Sequence, residues 1–178
     1  LHILSGLAKP DNGIVEIDGV EILSLSEVSI SEFRNKSIGF IFQFHHLLPE
    51  FSAVENIAIA SMINGTRKKE AIKKSEELLN IVGLIDRKNH FPAELSGGEQ
   101  QRVAVARALA SKPKFVLADE PTANLDSVST SKLLDIMREL NEKEGMTFIF
   151  STHDSRVIEK AKRVVTLEDG KIITDVTK

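Results

Sequence analysis

Leu95-Ser96-Gly97-Gly98-Glu99-Gln100-Gln101-Arg102, followed downstream by Phe115-Val116-Leu117-Ala118-Asp119-Glu120, is the pair of stretches from which the rest of this chain can be read. Ser96 with Glu99 three residues later has the spacing of a capping box, in which the Ser hydroxyl takes the N3 amide and the Glu reaches back to the cap amide. A helix is therefore predicted to start there. Gly97 and Gly98 remove side chains from its first turn, so backbone N–H groups can approach an anion, and the helix dipole places about half a positive charge at that end. Taken alone, Ser-Gly-Gly is better read as an ordinary capped helix after a flexible turn. The second stretch tips the balance. Its apolar run follows the helix stop Ser111-Lys112-Pro113 and reads as a short strand buried on both faces of a parallel sheet. Open α/β sheets bind ligands beyond the carboxyl ends of their strands, where Asp119 and Glu120 emerge. Asp119 is a candidate ligand for Mg²⁺, and Glu120 a candidate to orient and deprotonate an attacking water. An acidic N-cap to the following helix is the plainer alternative for the pair. The two stretches together point to nucleotide hydrolysis.

Three further positions carry related chemistry. Gln43 closes the apolar strand Ile38-Gly39-Phe40-Ile41-Phe42 and offers an amide oxygen to a metal and an NH₂ to water. His153 ends another apolar run, Thr147-Phe148-Ile149-Phe150-Ser151-Thr152, and so reaches the same sheet edge, where a neutral imidazole can contact a phosphate. Lone strand-end histidines are more often structural. Asp126 precedes a helix predicted over 127 to 142 and fits an N-cap.

In this order the motifs resemble those of ABC-type ATPases: LSGGEQQR the signature, FVLADE the Walker B strand with its catalytic Glu, Ala123-Asn124-Leu125-Asp126 the D-loop, Ser151-Thr152-His153-Asp154 the His switch, and Gln43 the Q-loop. The resemblance spans nearly the whole chain. It implies an α/β fold: a P-loop NTPase (RecA-like) core with a mostly parallel sheet, an antiparallel β hairpin near the N-terminus, and an α-helical subdomain. It also implies ATP and Mg²⁺ as ligands, with Glu120 and His153 catalytic, Gln43 and Asp119 at the metal, and Gln43, Ser96, Gly97, Gly98, Glu99 and Asp126 at nucleotide. The signature and the strand-end residues form two phosphate-facing surfaces that one nucleotide cannot obviously use together. The family's solution is a head-to-tail homodimer, each ATP lying between one subunit's core and the other's signature, which drives integral-membrane permease subunits. The stretch Phe42-Gln43-Phe44-His45-His46-Leu47-Leu48-Pro49 is similar to the ATPases of bacterial lipoprotein-releasing systems. Macrolide-exporter-like ATPases and soluble non-transport ABC ATPases are the alternatives. The implied location is the cytoplasmic face of the bacterial inner membrane.

One family motif is missing. The chain contains no GxxxxGK[ST] loop, and its single Gly-Lys, Gly170-Lys171, has no Gly five residues before it. Leu1-His2-Ile3-Leu4-Ser5-Gly6-Leu7 reads as the helix that follows that loop in the family. The sequence is accordingly read as truncated after Walker A, and these 178 residues by themselves are expected not to hydrolyse ATP.

Composition narrows the partners. A net charge of −3 argues against nucleic acid, and Arg67-Lys68-Lys69 with Lys73-Lys74 reads as a solvated basic face. The absence of Cys removes disulfides and Cys-based zinc sites. No apolar run approaches the ~18 residues of a membrane helix, so no direct insertion is expected. Along the chain, a hairpin is predicted at Ile14-Val15-Glu16-Ile17, turning at Asp18-Gly19 into Val20-Glu21-Ile22. Helices follow from Ser52, capped with Glu55, to Asn64-Gly65, and over about 66 to 82. Residues 1–43 and 111–178 are thus assigned to the core and residues 44–110 to the helical signature subdomain. Arg102 and Arg107 are expected to face solvent or acidic partners.

Overall fold

The computed structural model describes residues 1 to 178. Its centre is a three-stranded parallel sheet in the order β3-β4-β5, built from β3 (Ile38–Ile41), β4 (Phe115–Asp119) and β5 (Thr147–Ser151). The register pairs Ile41 with Ala118 and Asp119 with Ser151, so all three strands end at one edge. β4 lies in the middle, and its Val116, Leu117 and Ala118 are buried, as the uninterrupted apolar run predicts.

Ahead of the sheet, β1 (Glu16–Ile17) and β2 (Val20–Glu21) form the predicted hairpin in shortened form. Leu1 to Leu7 do not form a helix. They make a single turn in which the Ser5 N–H donates to the Leu1 carbonyl, ended by Gly6 at φ +68°, whose carbonyl accepts from the Arg34 guanidinium. α1 (Glu27–Ser37) carries no sequence expectation, because it has no apolar stripe and buries none of its residues. Its start is set locally by Ser26, whose Oγ accepts from the Ser29 N–H.

The helical region comprises α2 (Ala53–Ile63), α3 (Lys68–Ile81) and α4 (Gly97–Leu109). Ser52 and Glu55 make the expected cap, the Ser52 N–H donating to Glu55 Oε2 at 3.0 Å. Buried Asn56 holds the preceding loop: its Oδ1 accepts from the Leu48 N–H, and its Nδ2 donates to the carbonyls of Leu48, Phe51 and Ser52. α4 belongs to two cores at once. Val103, Ala106 and Ala110 pack with Ala53, Ile57 and Leu79, while Val105, Ala108 and Leu109 pack with Ile41, Val116, Leu133 and Met137. Burying each such Leu or Ile contributes about 1.5–3 kcal/mol, so α4 is held firmly from both sides. Its contact with the sheet is close: a Cβ at Gly39 would lie 2.5 Å from the Ala108 carbonyl oxygen.

Beyond β4 come α5 (Ser127–Glu144), α6 (Ser155–Lys160) and an antiparallel hairpin of β6 (Arg163–Glu168) and β7 (Lys171–Thr177). The segment after Gly170 is therefore a strand. Every residue of β7 is exposed, so it lacks the half-buried alternation by which a strand is recognised in sequence.

Candidate functional site

The common edge of β3, β4 and β5 gathers the strand-end residues. Glu120 lies one position beyond β4, and its N–H donates to the Ser151 carbonyl at 2.8 Å, which extends the β4–β5 pairing. Its backbone has φ +43°, a conformation that costs a non-glycine residue free energy, of order 1–3 kcal/mol, and is met mainly where surrounding structure enforces it. Its carboxylate is held by the loop after β5. Oε1 accepts from the His153 N–H at 3.2 Å and pairs with His153 Nδ1 at 2.8 Å, while Oε2 accepts from the Thr152 hydroxyl at 3.1 Å. The Glu120 side chain is 21% exposed and that of His153 86%. One partner is seated and the other open to solvent.

Beside them lies a second cluster. Asp154 caps α6 by accepting from the Arg156 N–H, is gripped on both oxygens by the Arg156 guanidinium, and accepts from the Thr122 hydroxyl at 2.8 Å. The Arg156 guanidinium, with Thr122 assisting, holds the Asp154 carboxyl well below the usual carboxylate range. Glu120, Thr122, Ala123, Leu125, His153, Asp154, Ser155 and Arg156 line an open polar cleft of about 310 Å³.

The other predicted residues lie outside that lining. Asp119, at the end of β4, stands one residue beyond the Ile41–Ala118 pair, and Gln43, in the loop after β3, two beyond it. No three acidic or histidine side chains converge into a metal cage. The Gln43 carbonyl accepts from Asn124 Nδ2 at 3.4 Å, which joins the strand-end loop to the segment before α5. Asp126 caps α5, its carboxylate accepting from the Ser129 N–H and hydroxyl; these bonds lower its proton affinity.

Ser96 and Glu99 form the expected capping box. The Ser96 N–H and Oγ donate to Glu99 Oε2 at 2.8 and 2.9 Å, and the Glu99 N–H donates back to Ser96 Oγ at 3.3 Å. The bond from the Ser96 backbone, followed by its hydroxyl and by Arg87 at 3.4 Å, keeps Glu99 readily ionised. The two glycines differ. A Cβ at Gly98 would meet Ser129 Oγ at 2.7 Å, whereas at exposed Gly97 it would meet only the Asn124 carbonyl oxygen, at 4.0 Å. Packing within the chain accounts for Gly98 and not for Gly97.

Several residues of this region gave no signal in sequence. Gln101, 1% exposed, donates from Nε2 to the Pro121 carbonyl at 3.0 Å and pairs through Oε1 with His45 Nδ1. Arg107 is not free in solvent: it is half-buried and donates to the carbonyls of His45 and His46 at 2.8 and 2.7 Å, and its desolvation lowers its pKa. Thr122 was equally silent, and Thr152 and Asp154 stood in the sequence only as the flanks of His153, since nothing in the linear sequence places 122 beside 154.

Comparison with known proteins bears on this arrangement. Residues 1–123 match the family model described as ABC transporter. The chain is 48% identical over 174 residues to the lipoprotein-releasing system ATP-binding protein LolD of Syntrophus aciditrophicus, covering 98% of this chain and 78% of that one. It is 46% identical to the LolD protein of Legionella pneumophila, covering 97% and 76%. Among solved structures, it superposes with a TM-score of 0.91 on the dimeric ATP-binding cassette MJ0796 in a post-hydrolysis state bound to ADP and Pi, at 36% identity and covering 99% and 78%. With cbiO1 of Clostridium perfringens, part of the cbiONQ ABC transporter complex, the TM-score is 0.88 at 27% identity, covering 99% and 70%. The parallel sheet, the antiparallel hairpins and the helical region are those of a P-loop NTPase fold. The chain belongs to the ABC transporter family, as one of its ATP-binding, ATP-hydrolysing subunits.

Proposed function

We propose that this chain is the motor subunit of a lipoprotein-releasing transporter, in which Glu120 is the base for ATP hydrolysis. The observation that carries the chemistry is the Glu120 carboxylate, seated at a strand end and facing an open polar cleft through His153. An ionised carboxylate only accepts hydrogen bonds, so His153 donates its Nδ1–H to Glu120 Oε1, and a neutral ring then offers a bare Nε2 to the cleft. To donate to a phosphate, His153 must leave Glu120 or take a second proton. With the ring neutral, arrival of the γ-phosphate would exchange the His153–Glu120 bond for a His153–phosphate bond and free that lone pair of Oε1 to accept a proton from water.

Asp119 and Gln43 suit Mg²⁺ as a partial oxygen shell, since this ion keeps waters and nucleotide phosphates among its ligands and seldom takes a full protein cage. The ion would neutralise phosphate charge there. Ser96 to Glu99 would serve the nucleotide of a second copy of the chain: they lie outside the cleft lining, and Gly97 is bare toward the exterior without an internal cause. Asp126 would lie at that subunit contact. Residues 1–43 and 111–178 would act as the catalytic core and 44–110 as the helical arm that carries motion to permease subunits. No helix is long and apolar enough to cross a membrane, which suits a peripheral subunit on the cytoplasmic face of the bacterial inner membrane. The lipoprotein cargo follows from the LolD relatives.

Grafting a GxxxxGK[ST] loop onto the chain would supply the phosphate cradle that this sequence does not contain and give a hydrolysis-competent protein for the test. In that hydrolysis-competent protein, Glu120→Gln should bind ATP, dimerise and stall. Undiminished phosphate release would remove Glu120 from the base role. Residues 1–178 alone should release no phosphate.

A further inference from the structure

Gln101 sits on α4 between two loops that the hydrolytic reading places at one nucleotide. The Pro121 carbonyl can only accept, so the amide group facing it is the NH₂ and the oxygen faces His45. An oxygen there accepts, and His45 must therefore carry its proton on Nδ1. Both ends of a fully buried amide are thus committed, one to the residue after Glu120 and the other two residues beyond Gln43. Arg107, about 1.7 turns further along the same helix, grips the carbonyls of His45 and His46. His46 lies at φ +46°, so this loop is held in a backbone conformation it does not favour by itself.

We infer that Gln101 is a positioning residue for hydrolysis: through His45 and Pro121 it fixes the Gln43 loop and the Glu120 strand end relative to each other across α4, the helix that carries Ser96 to Glu99. Unpaired buried amide groups are costly, so the three members hold one another in place. A shift of α4 displaces both loops together. The role rests on the hydrolytic reading of Glu120 given above.

The His45 ring reports the link without reference to turnover. In the hydrolysis-competent protein, ¹⁵N NMR should find neutral His45 on the Nδ1–H tautomer, and Gln101→Met should move it to the Nε2–H form. Gln101→Glu retains an acceptor for His45 and loses the donor to Pro121, so it should keep the tautomer while hydrogen exchange quickens at 122–125. With ATP as substrate, Gln101→Met should lower kcat about tenfold, the scale of a sub-ångström misplacement of reacting groups, and change KM less than about twofold. His45→Phe removes the same bond from the loop side and leaves α4 intact; it should match that fall, and the double variant should be no worse than either single one. An Nε2–H tautomer in the unmodified protein, or kcat unchanged in both single variants, overturns the positioning role. If Glu120→Gln also leaves kcat unchanged, the hydrolytic reading falls instead.

Discussion

The two ends of α4's neighbourhood are built in opposite ways. The Ser96–Glu99 turn satisfies itself within four residues, exposes Gly97 and takes its geometry from a capping box. The strand-end cleft is assembled from residues about thirty positions apart, seats its carboxylate on His153 and Thr152, and holds Glu120 in a left-handed conformation. A local, preformed turn suits a surface that receives a ligand held by another molecule. A strained, tertiary cluster suits a group whose bonds must change during reaction.

Substitutions can break this contrast. The largest effect is expected at Glu120: in the hydrolysis-competent protein, Glu120→Gln should lower kcat about 10²–10⁴-fold, the usual worth of a positioned general base, with little change in Tm. His153→Ala should fall short of that loss, because it removes a bond to the base and leaves the base itself. A loss at Glu120 no greater than at His153 would make the cleft merely structural.

The glycines sharpen the comparison next. Gly98→Ala places a methyl 2.7 Å from Ser129 Oγ, against the residue that completes the α5 cap, and should destabilise the fold by about 1–3 kcal/mol. Gly97→Ala meets nothing closer than 4.0 Å and replaces glycine in the first turn of a helix. It should raise stability by a few tenths to about 1 kcal/mol in chemical denaturation, yet reduce ATP-driven dimerisation. Equal effects of the two substitutions on stability would erase the distinction between an inward and an outward glycine.

The smallest effect concerns acid. Asp154 has a depressed folded pKa, so the Arg156 pair contributes stability that is complete above the unfolded carboxylate value of about 4 and is lost as pH falls through the lower folded value. Arg156→Gln should therefore lower Tm slightly at neutral pH, and the difference from the parent should shrink below about pH 4. A Tm difference that grows on acidification would contradict the pairing.

These contrasts also explain what sequence alone disclosed. The capping boxes at Ser96 and Ser52 were legible because each is a four-residue signal, and β4 was legible because a strand buried on both faces must be uniformly apolar. α1 and β7 were not, since neither buries enough to impose a period. Leu1 to Leu7 carry helix-compatible residues, but Gly6 at φ +68° ends the turn, and its carbonyl goes to Arg34, a partner far along the chain. Within the site, the type of residue at Glu120 and His153 was readable and their mutual bond was not, because it depends on the β4–β5 register. Gln101 and Arg107 look like the polar face of an exposed helix until the 43–46 loop is found lying over it.

The decisive measurement mixes two inactive variants of the hydrolysis-competent protein, Glu120→Gln and Gly97→Asp, and assays phosphate release from ATP. If each nucleotide is served by Glu120 of one subunit and Ser96–Glu99 of the other, mixed dimers contain one site with both elements intact, and activity returns on mixing. If both elements act on a nucleotide within one chain, every site in the mixture lacks one of them, and the mixture stays as inactive as its parts.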